Sequence, residues 1–201
     1  MANSNFLKMT RRFLVVVILV SLAVLIQGCG VVSHPMYVGQ VLDLETKEPI
    51  EGAAVVAIYM TDVLTPVDTL SNTIKVREVV TDREGRFQLP SYTTIVMPLS
   101  RKDETTFVIY KPGYLVVNRE RIGGCFSGKD ICETGNVPWS SERKELFYRL
   151  SPGKVELPKL HKREDRIRVS PFLYDREREQ APHMMQLRRD ENKILNINQK
   201  K

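Results

Sequence analysis

The run AAVVAIYM at residues 53–60 is apolar on both of its faces if the chain is extended there. A strand with one face in water alternates apolar and polar residues, whereas a strand apolar on both faces must be covered on both sides. This run therefore predicts a buried strand within a layered β structure. It is entered through TKEPIEG, a turn in which Pro49 fixes φ and Gly52 can take φ > 0.

The flanking sequence repeats the pattern of short strands and turns. YVGQVLD (37–43) is rich in β-branched and aromatic residues and ends at turn-formers. Residues 61–79 read as a longer, weaker connection, with a further strand near TIKVREVV. TDREGRFQL turns tightly and feeds a strand through Phe87 and Leu89. TTFVIY is a strand, KPGY a turn and LVVNR a strand; after a loop, KELFYRL alternates as a strand and SPG turns again, after which KVELPKL runs out. Strands at this spacing, with little helix between them, predict an all-β sandwich of about seven strands. Val41, Val55, Ala57, Phe87, Leu89, Val108 and Tyr110 supply its core, enough for a domain of about 100 residues.

The front of the chain obeys a different logic. Lys8, Arg11 and Arg12 precede Phe13 to Ile26, a run apolar except for Ser21. A spanning helix needs about 20 apolar residues and a secretory signal roughly 7–15, so residues 1–28 predict a signal helix. Without those three cations, 27 of the 30 basic residues face 24 acidic ones, a mature charge of +3. Charge this mild and this mixed argues against nucleic acid as a partner, which calls for a basic stripe with interleaved aromatics.

The run ends in LIQGC, residues 25–29. This stretch resembles the lipobox of bacterial lipoproteins, with Gly28 before the cleavage point and Cys29 after it. The resemblance implies signal cleavage between Gly28 and Cys29, a diacylglycerol on the Cys29 thiol and acylation of the new amino terminus. Two or more acyl chains anchor stably, each buried methylene contributing about 0.8 kcal/mol. Gly30, not Asp, follows the cysteine, which by the sorting rule of that family implies the outer membrane, on its periplasmic face. Residues 29–36 then read as a lipidated tether.

With Cys29 lipidated, Cys125 and Cys132 remain in an oxidising compartment. They are expected to form a disulfide in preference to two free thiols, closing an eight-residue loop for about 2.5 kcal/mol on the chain-entropy model; their spacing is too wide for a C-x-x-C redox pair.

The middle of the chain resembles the carboxypeptidase regulatory-like family, a prealbumin-like (Ig-like) β-sandwich. The residues that carry the likeness are GQVLD at 39–43, PIEGAAV at 49–55, TDREGRFQL at 81–89 and KPGY at 111–114. The likeness spans about 37–118 and implies a non-catalytic accessory or binding module. Each matching residue also has a structural reading: Gly52 and Gly85 near positive φ, Ala53 for close approach of the sheets, Phe87 as a core anchor, and Tyr114 placing its hydroxyl on backbone groups at a corner. Residues 119–160 add the cysteine loop and further strands.

Residues 161–201 form a charged tail, with 11 basic and 7 acidic residues. Met184, Leu187, Glu191 and Leu195 fall on one helical face, which the acid weakens. A partly helical or disordered tail is expected.

Chemistry is sparse. His161 and Glu164 have the H-x-x-E spacing of zinc carboxypeptidases, but the chain holds only two other histidines, His34 and His183, to complete a site. No G-x-S-x-G, G-x-G-x-x-G or phosphate loop occurs. Trp139 in NVPWSS is either an aromatic platform for sugar or peptide, or a cap on the core edge. The expected function is a lipid-anchored, non-catalytic envelope module without a cofactor, bound to membrane lipid through Cys29 and to an envelope protein. Carbohydrate or peptidoglycan binding is the alternative, and zinc-dependent hydrolysis at His161 and Glu164 a second.

Overall fold

A computed structural model describes residues 11–19, 30–64, 69–96, 100–102, 105–128, 132–140 and 143–197. Cys29 and Gly28, the expected lipid and cleavage sites, lie outside the described residues. Residues 11–19 form helix α1, whose side chains are exposed. Among the described residues no helix is long and apolar enough to cross a membrane.

The rest is mainly β. Twelve strands stand among the described residues, against about seven expected. One sheet runs β10 (Gly135–Ser140), β11 (Arg143–Ser151), β12 (Lys154–Leu157), β2 (Tyr37–Asp43) and β5 (Arg86–Leu89). A second runs β4 (Thr69–Val80), β3 (Ala54–Leu64), β8 (Thr106–Tyr110) and β9 (Val117–Glu120), with β7 (Ser100–Lys102) also on β3. Tyr37 of the first sheet meets Phe107 of the second edge to face, ring centroids 5.2 Å apart. Residues of both sheets share one buried cluster, so the two layers enclose a single core.

AAVVAIYM forms the inner part of β3, flanked by β4 and β8, and its residues from Ala53 to Tyr59 are fully buried. Val41, Val55, Ala57, Phe87, Leu89, Val108 and Tyr110, the expected core, are all buried too. Thr81 Oγ1 accepts from the Ala53 amide (2.8 Å) and donates to the Ile50 carbonyl (2.7 Å), tying the PIEG turn to the end of β4. Gly85 sits at φ 69°, and a Cβ there would lie 2.5 Å from the Val41 carbonyl oxygen. Its own carbonyl accepts the Val41 amide at 2.8 Å, so β2 and the DREG turn are in backbone contact.

Several segments depart from expectation. Residues 61–79 are not a loose connection: β3 and β4 form one long antiparallel hairpin, registered from Ala54↔Val80 to Leu64↔Thr69. The tether beyond Cys29 is a strand, β1 (Gly30–His34), paired with β6 (Tyr92–Val96). It is held because Val32 and His34 turn inward, His34 fully buried between the rings of Tyr59 and Tyr92. KVEL does not run out but becomes β12, inserted parallel to β2 with Val155 beside Val41. Residues 143–157 therefore belong to the same sheet as β2.

The tail holds three helices, α3 (Arg163–Arg168), α4 (Asp175–Arg178) and α5 (Pro182–Ile194). Val169, Leu173, Ala181 and Met184 join the core cluster. The face carrying Met184, Glu191 and Leu195 is the buried one. Glu191 does not weaken it, because Arg166 donates to both carboxylate oxygens at 2.8 Å. From β4, Glu78 caps α5, accepting the amides of His183 (2.9 Å) and Met184 (2.6 Å). A carboxylate at a helix amino terminus satisfies open N–H groups and meets the favourable end of the dipole.

Candidate functional site

A cavity of about 520 Å³ opens among the described residues between the ends of β2, β9 and β11 and the short helix α2 (Gly123–Phe126). Its position follows from a fault in β9. Val108 pairs with Asn118 but Phe107 pairs with Glu120, which leaves Arg119 as an extra residue. Arg119 takes φ 55°, in the left-handed region, a conformation that costs a non-glycine residue about 1 kcal/mol or more. Directly opposed residues share a face, so the bulge turns Glu120 onto the inner face of Phe107, away from that of Asn118. Glu120 thus lines the cavity.

Arg119 is held in place from the tail. Its guanidinium pairs with the buried Glu177 of α4 and lies 4.7 Å from the centre of the Tyr174 ring. Glu177 also accepts from Thr73 Oγ1 and the Tyr174 amide, both at 2.9 Å. A buried carboxylate with this many donors is compensated.

Glu120 is the contrasting case. Burial pushes its carboxyl above the ordinary range. Its side chain makes no hydrogen bond or ion pair among the described residues. Tyr148 of β11 also lines the cavity; it is 1% exposed, and its hydroxyl has no hydrogen-bond partner among the described residues. Burial, then the nearby Glu120 charge, raise its phenol. Tyr37 donates to Thr105 Oγ1 at 2.7 Å on the same wall. Arg121 and Glu133 complete the charged lining.

The structure joins Cys125 and Cys132 in a disulfide. Cys125, on α2, is itself part of the cavity wall, and its carbonyl accepts the Gly153 amide at 2.8 Å. The bridge holds Cys132 against α2. Gly39 leaves room for the edge-to-face pair of Phe87 and Phe126: a Cβ there would come within 2.6 Å of the Phe87 ring.

Other expected positions fall elsewhere. Tyr114 donates to a carboxylate, Asp43 Oδ2 at 3.2 Å, and not to backbone. Burial opposes ionisation of Asp43, but the amides of Thr46 and Glu45 and the Tyr114 hydroxyl outweigh it, and the carboxyl is lowered overall. Trp139 is in strand β10, not a loop, and packs half-buried against the core. His161 and Glu164 are both exposed at the start of α3. Among the described residues no group of three His, Cys, Asp or Glu side chains is placed to hold a metal ion.

Glu120, Tyr148, Tyr37 and Thr105 were not found by sequence reasoning. They come from four separate segments. The one local signal was a glutamate closing a strand, and the bulge that aims it has no signature in VNRE. Comparison with family models, with curated proteins and with solved structures gives no match to this chain.

Proposed function

We propose that this chain is a bacterial envelope lipoprotein, anchored through acyl groups on Cys29 after cleavage behind Gly28. Its prealbumin-like β-sandwich is a non-catalytic structural or protein-interaction module of the carboxypeptidase regulatory-like type. The observation that carries the reading is the LIQGC stretch closing the apolar run. The Cys125–Cys132 disulfide supports it, since such bonds persist in oxidising compartments. The positive φ of Gly52 and Gly85 supports the family resemblance, because those residues stand where its turns need them. Gly30 opens β1 directly after the anchor, so the sandwich is held against the membrane with no long linker between. The absence of Asp after Cys29 favours the outer membrane, periplasmic face, and an envelope protein as partner.

Metabolic labelling with palmitate tests the anchor. Label is expected in the wild-type chain and lost in Cys29→Ser, which should also remain uncleaved at that site. Equal labelling of both proteins would overturn the proposal.

A further inference from the structure

We propose that the cavity between β9, β11 and α2 binds small primary ammonium compounds, held by the Glu120 carboxylate and the Tyr148 hydroxyl. The site goes beyond the envelope reading and does not depend on lipidation of Cys29.

Three observations converge on it. The volume, about 520 Å³, is in the range of small-molecule sites, roughly 300–1,000 Å³. Tyr148 is almost wholly buried, yet its hydroxyl is unpaired among the described residues; a polar group left so costs about 1–3 kcal/mol. Glu120 is brought inside by a backbone conformation that its neighbour Arg119 adopts at a cost. Strain of this kind persists where the surroundings over-determine it, and it clusters at functional sites. Here the surroundings are Glu177 and Tyr174, which grip Arg119.

The chemistry of the lining selects the ligand. Among the described residues of the lining, Glu120 and Glu133 outnumber Arg121, so this lining favours positive charge. An ammonium group donates to Glu120 and to the phenolic oxygen of Tyr148 together. It also restores the ionised form of Glu120, which burial alone disfavours. The aromatic walls of Tyr37 and Tyr148 accept a cation as well as an alkyl stem. A neutral alcohol of equal size gains the stem contacts without the charge.

The test uses the full chain in detergent with its disulfide intact, titrated with n-pentylamine and, separately, with 1-pentanol by calorimetry. Saturable binding of the amine at one site is expected, with the alcohol weaker by about tenfold or more. Glu120→Gln should weaken the amine by about tenfold and Tyr148→Phe by a smaller factor, while Glu51→Gln, at an exposed turn position, should change nothing. Absence of saturable amine binding overturns the proposal, as does equal affinity for the alcohol, or undiminished affinity in Glu120→Gln. If Glu120→Gln does not fold, the alcohol comparison and Tyr148→Phe decide the matter.

Discussion

Arg119 of β9 and Glu177 of α4 are paired in the interior, 58 residues apart in sequence. Through this contact the helical tail sets the backbone of the strand that carries Glu120. Removing one partner of a buried pair leaves the other charge uncompensated, at about 3–5 kcal/mol. Glu177→Ala should therefore lower the unfolding free energy by about 3 kcal/mol in a urea titration. Loss of under 0.5 kcal/mol, the scale of a surface pair, would show that the tail does not hold the bulge.

Two glycines at the same φ separate a conformational effect from a steric one. Gly85 and Gly153 lie at φ 69° and 71°, but only at Gly85 would a Cβ meet backbone, 2.5 Å from the Val41 oxygen; at Gly153 nothing lies within 4 Å. Gly153→Ala should cost about 1–2 kcal/mol, the left-handed penalty alone. Gly85→Ala should cost clearly more, because β2 and the turn must part. Equal losses in thermal unfolding would refute the close approach.

Phe87 and its turn are the part of this fold most legible in sequence. TDREGRF announces a tight turn with a glycine at positive φ and then an inward aromatic, all within seven residues. AAVVAIYM was legible for the same reason, being one local run. What escaped was decided at a distance. Nothing in KVEL says that it pairs parallel with β2, a partner more than 100 residues earlier. Glu191 reads as a flaw in a helix face until Arg166, 25 residues away, is placed against it. Of the candidate site, only the cysteine pair was legible, because its chemistry is carried by residue type. Truncating a core Phe to Ala costs about 3–5 kcal/mol, so Phe87→Ala should melt far below wild type; an unchanged melting temperature would contradict its place between Gly39 and Phe126.

Glu120 gives the chain a pH dependence of defined sign. Its native carboxyl is raised by burial, with Arg121, Glu133, Tyr37 and Tyr148 as the other charged or titratable groups around the same cavity among the described residues. The native state then binds the proton more tightly than the unfolded chain. Stability attributable to this residue is complete below the unfolded value, about 4.3, and is lost as pH rises through the native one. Glu120→Gln, which mimics the protonated acid, should gain stability relative to wild type as pH rises from 4 to 7. A difference that is flat, or that runs the other way, would place Glu120 in water.

Lipidation of Cys29 is read out by the intact mass of the protein extracted from membranes. The account predicts a chain that begins at Cys29, lacks residues 1–28 and carries the added mass of a diacylglycerol and an amide-linked acyl chain. After reduction the mass should rise by two hydrogens, from the Cys125–Cys132 bridge. A chain that retains residues 1–28, or one that begins at Cys29 with no acyl mass, would contradict it.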